Sequence, residues 1–169
     1  MSASFTQSAN AASEATLVRK GVRLAAYALS PVLLLLALLG AGWLYVPANP
    51  AIKAPAATLG FGDLHKLAGS GVIPTTWIQQ NYFGWLGWTL VLVIIALCLV
   101  TAATCNRIVA GVLAAAGLVS LITHLFAVKG ALTWGQFADQ TSHLRIGAYC
   151  AVAGYVLAIA FGGLRAARR

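Results

Sequence analysis

The residues able to support chemistry in this chain are few: His65, His124 and His143, the thiols Cys98, Cys105 and Cys150, and the acids Glu14, Asp63 and Asp139. Imidazole is a common metal ligand and a haem axial ligand. His124 follows Ser120 by four residues and His143 precedes Gly147 by four, so each continues a stripe of small residues on an apolar run. If those stripes pack together, the two rings meet near the outer face, and His65 in a long loop is able to join them. The chemistry would be an outer-side haem or metal site. No Cys, Glu or second-ligand spacing completes one, so neither cofactor nor metal is expected. Each histidine then reads as an interfacial polar side chain satisfied by water, backbone or headgroups.

The other groups point away from catalysis. No acid falls inside an apolar run, which leaves no carboxylate for a proton or ion path. A nucleophile beside a base, a carboxylate pair and a phosphate-cradling glycine loop are all missing. Gly60-Phe61-Gly62 is too short a fragment to read as a nucleotide motif. The three thiols sit in apolar runs, where they behave as small hydrophobes rather than as a disulfide framework. A self-assembled pore would show rings of charge. The chain is therefore expected not to be an enzyme.

The surrounding elements are set by composition. Of 169 residues 60% are hydrophobic and 8% charged, against about a quarter charged in soluble domains. The net charge of +8 is not expected to serve nucleic acid, because there are too few polar residues to build a solvated basic face. A span needs about 20 apolar residues, and four runs qualify, at about 24–46, 84–103, 108–128 and 146–164. The fold expected is an all-α membrane protein, a four-transmembrane-helix bundle forming one domain over 19–169 behind a polar cytoplasmic tail, 1–18. Its outer loops are 47–83, the longer, and 129–145. The first run is too long for a cleavable signal segment, and Pro31 is expected to bend it. In the Pro- and Gly-rich loop, Asp63 is expected to cap a short helix over 64–68. Thr75 or Thr76 is expected to cap another that starts at Trp77 and runs into the second span.

Orientation follows from the bases. Arg19, Lys20, Arg23, Arg107, Arg165, Arg168 and Arg169 fall on one side, and Lys53, Lys66, Lys129 and Arg145 on the other. The positive-inside rule then puts both termini in the cytoplasm, with the chain integral to a bacterial cytoplasmic (inner) membrane. Helices in lipid associate through small residues. The expected packing faces are Gly147, Ala151, Gly154, Ala158 and Gly162 in the fourth run, and Gly111 and Ala115, beside Ala116 and Ser120, in the third. Trp77, Tyr82, Trp85, Trp88 and Trp134 cluster at the outer interface, as headgroup-level anchors or as contacts to a partner.

In topology, with four spans, cytoplasmic termini and a longer first outer loop, the chain resembles claudin-like tetraspans, although its run Gly84-Trp85-Leu86-Gly87-Trp88 departs from their Gly-Leu-Trp motif. It lacks their loop cysteine pair, and a sheet is not expected in so Pro/Gly-rich a loop. By size, topology and composition over its whole length it is also similar to small tetraspan accessory subunits of actinobacterial envelope complexes, attached to Mce-type lipid importers or to respiratory supercomplexes. That resemblance implies a non-catalytic accessory subunit in a larger integral membrane complex, in contact with lipids. It would aid assembly, stability or regulation of a lipid importer or, alternatively, of a respiratory complex. The remaining alternative is the small haem- or metal-binding membrane protein that the histidines would build.

Overall fold

The computed structural model describes residue 25 and residues 27–71 and 74–167. The expected tail 1–18 and the bases Arg19, Lys20, Arg23, Arg168 and Arg169 lie outside the described residues.

Three helices are long and apolar enough to cross a membrane. The first of these, Trp77–Thr104, has 28 residues; the others are Arg107–Lys129, with 23, and Ile146–Ala167, with 22. At 1.5 Å per residue all exceed the hydrocarbon thickness of about 30 Å. A shorter apolar helix, α1 (Tyr27–Leu39), precedes them. It buries Tyr27, Ser30, Leu34, Ala37 and Leu38 and exposes Leu29, Val32, Leu36 and Leu39. The expected first span reached residue 46, but α1 stops at Leu39. The N–H groups of Gly40 and Ala41 both donate to Leu36 O, and the chain then turns extended.

That extended segment makes the sheet the sequence did not suggest. β1 (Leu44–Val46) pairs antiparallel with β2 (Ala57–Leu59), in the register Leu44 to Leu59, Tyr45 to Thr58 and Val46 to Ala57. Asn49 and Ala54 close the hairpin by exchanging backbone hydrogen bonds of 2.9 and 3.0 Å. Asn49 also caps a single 3₁₀ turn, Pro50–Ile52, and Lys53 leaves it at φ 52°. Backbone bonds join this strand to the start of the last helix: Arg145 N donates to Trp43 O and Gly147 N to Gly42 O. A free N–H at that helix's beginning is thereby satisfied.

Helix α2 (Phe61–Gly69) follows. Asp63 acts from within it rather than as its N-cap, its carboxylate accepting from Gly60 N at 3.0 Å. α3 (Trp77–Asn81) is capped by Thr76 in a reciprocal box with Gln79 and passes without a break into the span, as the sequence suggests. One π turn, Tyr82–Leu86, separates it from α4 (Gly87–Thr104). The turn sets the neighbours Tyr82 and Phe83 both inward, 1% and 6% exposed. Cys105, at φ 54°, and Asn106, which caps the next helix through Ile108 N, make the two-residue link to α5 (Arg107–Lys129). α6 (Trp134–Gln140) and a 3₁₀ turn, Thr141–His143, lead to α7 (Ile146–Ala167).

α5 packs most extensively on α7 and next on α4. The α7 stripe is buried throughout, at Gly147, Ala151, Gly154, Ala158 and Gly162, yet it serves several neighbours. A Cβ at Gly162 would lie 2.6 Å from Ala110 O, one at Gly154 would meet Leu34 of α1, and one at Gly147 would meet Trp43. The α5 face is Ala110, Leu113, Gly117, Ser120, His124 and Ala127. Ala115 is exposed, which corrects its place in the expected packing face, while Gly111 is half-buried and a Cβ there would lie 4.0 Å from Ala166 of α7. The helix turns 100° per residue, so Gly117 and Ala115 point nearly opposite ways.

Candidate functional site

The largest buried aromatic side chains and the buried imidazole gather at the hairpin end of the bundle. α1 delivers Trp43 just past its C-terminus, α2 brings Phe61, the π turn brings Tyr82 and Phe83, α5 brings His124, and α7 brings Tyr155. Trp43, Tyr82, His124 and Tyr155 are each no more than 1% exposed. Tyr82 Oη lies 2.9 Å from His124 Nδ1 and 3.4 Å from Tyr155 Oη. Three helices are thus tied by one chain of side-chain polar groups. Trp43 Nε1 donates to Ala37 O at 2.6 Å, so its buried N–H has a partner, as burial demands. The Trp43 ring then lies edge-on to Phe61, with centroids 5.2 Å apart, and tilted on His124 at 5.4 Å. Such contacts add specific energy beyond the area they bury.

The glycines make room for this assembly. A Cβ at Gly87 would lie 2.7 Å from Tyr82 O and 2.8 Å from the Phe61 ring. Phe61 therefore seats on the π turn only because residue 87 has no side chain.

The three histidines are not brought together. His124 is enclosed by Trp43, Tyr82 and Tyr155. His143 lies in the turn before α7, stacked on Tyr45 at 6.5 Å and 13°, while Arg145 covers Tyr45 at 4.6 Å. His65 is exposed on α2 and borders a shallow depression with Gln80 and Gly84. No group of three or more His, Cys, Asp or Glu side chains suited to a metal ion occurs among the described residues. The shared outer histidine site is not formed. An imidazole on a packed stripe meets whatever side chain the next helix offers, and for His124 this is the Tyr82 phenol.

The aromatic set divides as well. Tyr82 is a core residue rather than a surface anchor, whereas Trp77, Trp85 and Trp134 are 75%, 59% and 56% exposed and Trp88 is 37% exposed. Trp77, Asn81 and Trp85 follow one another at four-residue spacing, with Asn81 as the clamp. Its Nδ2 donates to Trp77 O at 2.9 Å and its Oδ1 accepts from Trp85 Nε1 at 3.1 Å. Trp88 turns instead toward the core, edge-on to Phe61 at 6.3 Å. Trp134 packs on Phe126 and Phe137 under the Lys129 ammonium.

Sequence reasoning missed Trp43 and Tyr155. A signal was present for both: each is a hydrogen-bonding aromatic beside a glycine inside an apolar run, a place where its polar atom must find a partner. No known family, curated protein or solved structure matches the chain, so its function is argued from this geometry.

Proposed function

We propose that the chain is a non-catalytic accessory subunit that docks beside a larger integral membrane complex and supports its assembly, stability or regulation. The observation that carries this reading is the ridge of Trp77, Asn81 and Trp85. One amide holds the exposed Trp85 indole and braces the backbone carbonyl of the exposed Trp77 one turn earlier, and pre-ordered aromatic anchors are favoured at protein interfaces because little freedom is lost on binding. A lipid importer is the host proposed first, on the tetraspan resemblance, and a respiratory complex second.

In the same reading α1 belongs to the fourth span, and both termini face the cytoplasm of an inner membrane. Arg107 and Arg165 share the end opposite the hairpin, where Arg165 Nη2 donates to Cys105 O at 3.0 Å. The rest of the orienting charge comes from Arg19, Lys20, Arg23, Arg168 and Arg169.

The test is purification of the tagged chain from native membranes with mass spectrometry of what accompanies it. A stoichiometric set of membrane subunits is expected, reduced at least fivefold by Trp77→Ala with Trp85→Ala at unchanged membrane level. Recovery of the chain by itself under mild solubilisation overturns the reading.

A further inference from the structure

Two cavities open side by side at the hairpin end, and they share Leu44, Gln79, Val128 and Leu144 as common walls. The inner one, about 140 Å³, is floored by Trp43, Phe83, Ala68 and Ala127. Its floor is small because alanine stands at 68 and 127, both buried at 7% and 0% exposure. The outer one, about 230 Å³, runs beneath Leu132 and Phe137 to Lys129. Among the described residues no acidic side chain lines either cavity, and Lys129 is the charged group at the rim. The groove is therefore apolar at depth, amide-lined at its waist by Gln79, and cationic at its mouth. That mouth lies at the end of a membrane-length helix, where an amphiphile's headgroup would be.

We propose that this groove binds one single-chain anionic amphiphile, a long-chain carboxylate, with its chain end against Trp43 and its carboxylate at Lys129. The width of the inner cavity selects one chain over two. An apolar space of about 150 Å³ accepts a molecule the size of benzene, so 140 Å³ receives the tip of one acyl chain and not a diacyl pair. The charge at the rim selects the headgroup, since a carboxylate beside an ammonium forms a hydrogen bond in which both partners are ionised, and an alcohol supplies no opposite charge. This inference stands apart from any partner complex.

The experiment uses the full chain in phosphatidylcholine nanodiscs, with Trp77, Trp85, Trp88 and Trp134 replaced by Phe so that Trp43 is the sole tryptophan and is excited selectively over the tyrosines. The probe is octadecanoate brominated along its chain. Saturable quenching of Trp43, competed by unbrominated octadecanoate, is expected. Lys129→Gln should weaken octadecanoate about tenfold and leave octadecanol within twofold. Ala68→Leu should abolish saturation, with circular dichroism reporting whether it folds; if it does not, the Lys129→Gln comparison decides. Quenching that rises linearly without saturation overturns the site. Equal quenching by brominated phosphatidylcholine overturns the single-chain assignment, and equal weakening of acid and alcohol by Lys129→Gln overturns the role of the charge.

Discussion

Tyr82 Oη stands 2.9 Å from His124 Nδ1, a hydrogen bond that crosses from the π turn of one membrane-length helix to the buried face of the next. The two side chains are 1% exposed, so water cannot replace either partner. Tyr82→Phe deletes the hydroxyl and leaves the imidazole nitrogen and Tyr155 Oη to find other arrangements. A loss of about 1–3 kcal/mol is expected, the usual cost of a buried polar group left unmet. Tyr155→Phe, acting through the longer 3.4 Å contact, should cost about 0.6 kcal/mol, the average for hydrogen bonds between membrane helices. Reversible unfolding in mixed micelles measures both, and equal costs for the two variants would show that the His124 contact is not the stronger one.

Adjacent glycines of α7 provide an internal control. A Cβ at Gly162 would lie 2.6 Å from Ala110 O and 2.7 Å from Ala114 N, both backbone atoms that cannot swing aside, whereas nothing lies within 4 Å of one at Gly163. Gly162→Ala should therefore prise α7 from α5 and destabilise by about 1–3 kcal/mol. Gly163→Ala should change stability by about 0.5 kcal/mol or less, as surface substitutions usually do. The same unfolding assay reads both, and a Gly162→Ala protein of unchanged stability would mean that the two helices are not in close contact there.

The packing of α7 was legible in its small residues, and the Thr76-Gln79 cap in its spacing, because both depend on local sequence. The inward turn of Tyr82 was not. It depends on a π turn, where one extra residue shifts the helix face by about 100°, and no residue type announces that. The end of α1 was hidden for a different reason. Residues 41–46 are as apolar as a span, yet they leave the helix because Gly42 O and Trp43 O accept from the start of α7. That pairing spans a hundred residues of sequence. The histidines were misplaced together for the same kind of cause: their shared chemistry suggested one site, and their surroundings are set by rings distant in the chain.

At the opposite end from the hairpin, Arg165 holds the turn between α4 and α5 by donating to Cys105 O, a carbonyl that the helix itself leaves unpaired. Cys105 is backbone-strained at φ 54°, so the contact secures a conformation that a β-carbon disfavours. Arg165→Leu should loosen the turn and raise the rate of thiol labelling at Cys105 about tenfold, which corresponds to the 1.5 kcal/mol or so that a charge-assisted hydrogen bond contributes. Arg165→Lys should fall between the two. Unaltered labelling in the leucine variant would assign the turn's rigidity to Asn106 and its cap on Ile108 N.

The same thiol tests the orientation proposed from the basic residues. Cys98 and Cys150 are buried within their helices, and Cys105 is the partly exposed one. A membrane-impermeant maleimide should therefore modify Cys105 and spare the other two. With both termini inside, labelling of intact cells should be at background and should appear once the membrane is permeabilised. A Ser70→Cys variant, placed at the exposed end of α2 on the hairpin side, should label in intact cells. The reverse pattern, with Cys105 reactive before permeabilisation and position 70 silent, would invert the bundle. It would also place the Lys129 mouth of the amphiphile groove in the inner leaflet.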